Sequence, residues 1–124
     1  MAQPSVQVQE LIRARQEFHD VVNFKTTRAA LPVAQALMDN VDTVLSYFYP
    51  RAKTIYQPLS GQEIDVAATE VRNDVDSYML VIKQGIGRLE KAIGKTHLTE
   101  VHDVMKQTLH GEVERMRRDA RSSL

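Results

Sequence analysis

The stretch SGQEIDVAATEVRNDVDSYMLVIKQGIGRLEKAIG, residues 60–94, decides the fold. Ser60-Gly61-Gln62-Glu63 has capping-box spacing, in which a hydroxyl and a carboxylate satisfy the first free backbone N–H groups of a helix. Behind it, Ile64, Ala68, Val71, Val75, Met79, Ile82, Ile86, Leu89 and Ile93 recur at steps of three or four and wind onto one face. Twenty-nine residues in eight steps separate Ile64 from Ile93, nearer the 3.6 of a straight helix than the 3.5 of a heptad. Gly94 stands where a left-handed stop residue belongs. The pattern predicts a helix over 61–94 in a compact bundle rather than a long coiled coil. At roughly 50 Å it would overhang shorter neighbours unless it bends or a second subunit covers it. Gly85 and Gly87 each cost about 1 kcal/mol relative to alanine inside a helix, which points to a close helix approach or a local bend.

Downstream, Leu98, Val101, Met105, Leu109, Val113 and Met116 predict a helix over 97–120. Upstream, Pro32 suits a first helical position. Val33, Leu37, Val41, Val44 and Phe48 then form the buried face of a helix over 32–56, broken or kinked at Pro50. A first helix over 5–30 carries Val8, Leu11, Ile12, Phe18 and Val22, weakened by the β-branched pair Thr26-Thr27. No strand alternation or hairpin turn dipeptide interrupts these elements. The expected fold is all-α: an antiparallel up-and-down four-helix bundle, one domain across residues 1–124.

Sixteen basic residues balance sixteen acidic ones, so no overall field draws the chain toward nucleic acid or an anionic membrane. Without cysteine there are no disulfides, thiol catalysis or thiolate metal sites. No stretch approaches the roughly twenty apolar residues of a membrane span. Met1-Ala2-Gln3-Pro4-Ser5 lacks the basic and apolar regions of a signal peptide. These features predict a soluble, cytoplasmic protein with no membrane partner.

The 61–94 helix is acidic early, at Glu63, Asp65, Glu70, Asp74 and Asp76, and basic late, at Lys83, Arg88, Lys91 and Lys95. That order complements its dipole. A hairpin around Gly94-Lys95-Thr96 would bring residues level whose numbers sum to about 191. Lys91 then meets Glu100, Arg88 meets Asp103, Asp76 meets Arg115 and Asp74 meets Arg117.

Candidate chemistry is sparse. His110 and Glu114 are four apart on a helix, as a metal pair requires. Two ligands make no site, however, and His19, His97 and His102 do not repeat the spacing. The Glu-x-x-His of ferritin-like bundles and the zinc-protease His-Glu-x-x-His are both missing, so no metal or other cofactor is expected. A phosphotransfer histidine would want lysine and glycine after it, which Leu109-His110-Gly111-Glu112 does not supply. The Arg115-Met116-Arg117-Arg118-Asp119-Ala120-Arg121 run is a candidate phosphate-binding arm. Glu112 and Glu114 precede its arginines at pairing distance, and no aromatic interleaves it. Nucleic acid is therefore not the expected partner.

Tyr47, Phe48, Tyr49 and Tyr56 hold four of the seven aromatics. Three adjacent aromatics on a helix point in different directions, so not all enter one core. Tyr47, Tyr49 and Tyr56 are the candidate partner-binding residues. No catalytic residue is assigned: there is no phosphate loop, nucleophile elbow or catalytic cysteine. The expected role is a non-catalytic helical interaction or assembly module, binding a protein partner or itself, with a homodimer as one form and no small-molecule ligand. The alternatives are a small-molecule or metal-dependent bundle enzyme using His97, His102 or His110, and a nucleic-acid accessory protein using the basic C-terminal helix.

Overall fold

The computed structural model describes residues 5–124, so the reading of residues 1–4 lies outside it. Four helices form, α1 (Val6–Lys25), α2 (Leu31–Ala52), α3 (Gly61–Ile93) and α4 (Leu98–Ser122). Short 3-10 turns at Arg28–Ala30 and Lys53–Tyr56 flank α2. Each helix packs on its neighbours in sequence and α1 closes the ring against α4. Antiparallel pairing is read from contacts such as Leu37 with Gly85 and Arg51 with Asp74. The fold is the all-α four-helix bundle expected. One end, here the Lys25 end, gathers the ends of α1 and α3 and the starts of α2 and α4. The opposite, Ser60 end gathers the start of α3 and the end of α4.

Local chemistry sets the boundaries. The Ser5 and Ser60 hydroxyls accept from the Val8 and Glu63 amides at 3.3 and 3.2 Å, so half of the expected capping box is made. Gly94 adopts φ +91° and its amide donates to the Glu90 carbonyl at 2.9 Å, a stop that a Cβ would strain. The first helix ends at Lys25 rather than residue 30. Thr26 is extended and Thr27 caps the 3-10 turn that follows, its hydroxyl accepting from the Ala30 amide. The Thr27 hydroxyl gives the backbone a side-chain partner outside the helix and so competes with its continuation, while the buried Thr26 hydroxyl has no partner among the described residues. Pro50 does not break α2, which runs to Ala52. Pro50 and Ser46 are both exposed, so water can solvate the Ser46 carbonyl that lacks its usual i+4 donor.

The overhang of α3 is covered by the chain itself. The Lys53–Tyr56 turn packs on α3 and α4, with Ile55 fully buried beyond the start of α1. Gly85 marks a close approach: a Cβ there would lie 3.2 Å from Leu37 Cδ1. Gly87 faces open space, and nothing in the packing explains it.

The α3–α4 hairpin is antiparallel, but its register differs from expectation. Glu90 bonds Thr96, Asp76 bonds His110 and Asp65 bonds Arg121, pairs whose numbers sum to 186 rather than 191. The cause is the connector at residues 94–97, which is not helical. An extended residue advances about 3.3 Å and a helical one about 1.5 Å, so the chain runs back along α3 before α4 begins. The four expected pairs do not form. Asp74 meets Arg51 of α2 at 2.9 Å instead, Arg117 reaches Asp65 at 3.1 Å, and Asp103 takes His102.

Candidate functional site

The three candidate tyrosines occupy different situations. Tyr47 lies at the α2–α3 seam, 39% exposed, its ring tilted on Tyr78 with centroids 5.4 Å apart. Beneath the two rings is a small apolar recess that includes Val44, Phe48, Val71 and Val75, with the Arg51–Asp74 ion pair at its edge. Val81, 42% exposed, extends the apolar surface about one turn along α3. Neither the Tyr47 nor the Tyr78 hydroxyl has a hydrogen-bond partner among the described residues.

Tyr49 and Tyr56 are tied to α4. The Tyr49 hydroxyl donates to Glu112 Oε2 at 2.9 Å, and Tyr56 donates to Asp119 Oδ2 at 2.9 Å. Arg115 donates from Nε to Glu112 Oε1 at 2.9 Å and from Nη2 to Oε2 at 3.3 Å. Both oxygens of Glu112, which is only 1% exposed, are thus occupied. Burial raises the Tyr49 pKa above its ordinary value of 10.0, and the bond to the Glu112 carboxylate adds to the rise. The same two causes, with Asp119 as acceptor, raise that of Tyr56. Arg115 is held firmly protonated by its bond to Glu112. The Tyr49–Glu112–Arg115 cluster binds α2 to α4 across the bundle diagonal.

His110 and Glu114 line one α3–α4 groove with Asp65, Arg72 and Arg117, but each already has a partner of its own. His110 Nε2 lies 2.6 Å from Asp76 Oδ1, and Glu114 accepts from Arg117 Nε at 3.0 Å. The Arg117 guanidinium pulls the carboxyls of both Asp65 and Glu114 below their usual range. Among the described residues no three histidines or carboxylates come together as metal ligands. His97 is exposed, 3.7 Å from Glu17. The arginines of the C-terminal run are mostly committed to carboxylates: Arg115 to Glu112, Arg117 to Glu114 and Asp65, and Arg121 to Asp65.

His102, one of the candidate histidines, and Glu112, an expected partner of the C-terminal arginines, are both buried, which the sequence reading did not foresee. His102, 3% exposed, has Nε2 at 2.9 Å from the Met79 carbonyl and Nδ1 at 2.9 Å from Asp103 Oδ1. His102 and Glu112 both stand on the apolar stripe of α4, at 98-101-102-105 and 109-112-113-116, where a polar side chain must find an internal partner. That position was the available signal. Compared with family models, curated proteins and solved structures, the chain matches none.

Proposed function

We propose that the protein is a non-catalytic helical interaction or assembly module of the cytoplasm, binding a protein partner or a second copy of itself. The reading rests on Tyr47. Its ring stands on Tyr78 above an apolar recess, continuous with exposed Val81, and both hydroxyls are free to bond a partner. Aromatic rings of this kind offer large contact area at little cost in rotamer entropy, and they recur among the residues that dominate binding energy. Tyr56, 42% exposed, offers a second, smaller contact, while Tyr49 contributes by holding α2 and α4 in place.

The test is solution mass by light scattering over a wide concentration range, with a photo-crosslinking amino acid at position 47. Assembly, or a crosslink to a defined protein partner, that is lost in Tyr47→Glu without a change in unfolding midpoint supports the proposal. A strict monomer with no crosslink at position 47 contradicts it.

A further inference from the structure

A net charge of zero conceals segregated charge. At the Lys25 end, residues 24–33 and 88–97 hold five cations, Lys25, Arg28, Arg88, Lys91 and Lys95, against one carboxylate, Glu90. The bundle topology brings these segments to one end, and the turn bearing Arg28 packs on α3. All five cations are exposed, and among the described residues none has an ion pair or hydrogen bond. Glu90 is turned into the connector, accepting from the Thr96 amide and hydroxyl at 2.7 and 2.9 Å. Lys25 and Lys91 lie in last helical turns, where a cation answers the dipole. The dipole acts less on Arg88, more than a turn before the end of α3, and on Arg28, in a 3-10 turn of three residues. The same end exposes Phe24 at 83% and Leu31 at 43%.

We propose that the Lys25 end is a docking surface for an anionic lipid bilayer, with Phe24 entering the boundary between headgroups and acyl chains and the five cations lying over lipid headgroups. The cations surround the end of the bundle, so they suit a broad charged surface. A single-stranded nucleic acid is instead tracked by a basic groove with stacking platforms. Phe24 and Leu31 gain apolar burial from a bilayer and little from a phosphate backbone. The remaining residues carry fifteen carboxylates against eleven cations, so the flanks are repelled while the end is attracted, which orients the bundle end-on. Apolar insertion and basic charge act together, the burial of Phe24 adding to the electrostatic attraction of the cations to anionic lipid. No described helix is long and apolar enough to cross a membrane, and the attachment is peripheral. It does not depend on the Tyr47 face.

The chain has no tryptophan, so Phe24→Trp provides a single reporter. With phosphatidylcholine vesicles containing about a third phosphatidylserine, emission should shift to the blue and the protein should co-sediment. Reversing two cations with Lys91→Glu and Lys95→Glu should weaken binding about tenfold or more, and Phe24→Ser should weaken it several-fold. Lys53→Glu with Arg118→Glu, a matched reversal of two exposed cations at the Ser60 end whose side chains have no ion pair or hydrogen bond among the described residues, should leave binding unchanged; circular dichroism checks that each variant is folded. The proposal is overturned by absence of binding, by equal binding to pure phosphatidylcholine, or by equal loss from the two reversals. Tighter binding to an oligonucleotide or to polyglutamate than to the vesicles overturns it as well.

Discussion

The two halves of α3 carry opposite charge and are used in opposite ways. In the first half Asp65 holds Arg117 and Arg121, Asp74 holds Arg51 and Asp76 holds His110. In the second half Lys83, Arg88 and Lys91 hold no partner among the described residues. Register explains the difference. At the Ser60 end, α4 runs on beside α3 and supplies Arg117, Arg121 and His110 to its acids, and Arg51 near the end of α2 bonds Asp74. At the Lys25 end, the extended connector starts α4 lower along α3, so Glu100 and Asp103 fall more than a turn below Lys91 and Arg88. One end of the bundle is therefore held together internally by polar contacts, and the other leaves its cations to solvent or to a ligand.

The contrast should be strongest in packing. Ile55, fully buried at the Ser60 end, should cost about 2–5 kcal/mol when cut to alanine. Leu31→Ala at the opposite end should stay within about 0.5 kcal/mol, and urea unfolding of both variants makes the comparison. A smaller effect is expected at high pH. The Tyr49 pKa is raised in the fold, so above pH 10 the unfolded chain ionises first and stability falls as pH rises further. Tyr49→Phe should lose roughly 0.5–1.5 kcal/mol at neutral pH and show less of that alkaline decline in thermal melts between pH 9 and about 11. The smallest effect lies on the acid side. Arg117 lowers the pKa of Asp65 and of Glu114, so this stabilisation is present above the ordinary carboxylate range and lost as pH falls through it. Arg117→Gln should flatten the acid limb of the stability profile, and an unchanged limb would mean that these pairs contribute nothing.

The helices were legible because their signals are local. Caps, apolar spacing and the Gly94 stop lie within a few residues of what they control, which is why α3 and α4 fall within two residues of expectation. The end of α1 was not legible: Thr26-Thr27 marks a weakness, but the choice between kink and stop depends on what packs beyond it. The charge partners of α3 were misplaced because four connector residues were counted at helical rise. Of the candidate tyrosines, sequence showed that not all could be buried but not which one stayed free. That depended on Glu112 and Asp119, sixty-three residues along the chain from Tyr49 and Tyr56 respectively. The basic end was hidden for a similar reason, since its cations come from two segments that only the bundle brings together.

The contrast between a tied end and a free end is tested most directly by neutralising two cations at each. Arg88→Gln with Lys95→Gln removes two unpaired cations, and Arg117→Gln with Arg121→Gln removes two that are bonded to Asp65. Urea unfolding at low ionic strength should leave the first double variant within about 0.5 kcal/mol of the parent and lower the midpoint of the second. Equal losses, or a larger loss from Arg88 and Lys95, would contradict the account.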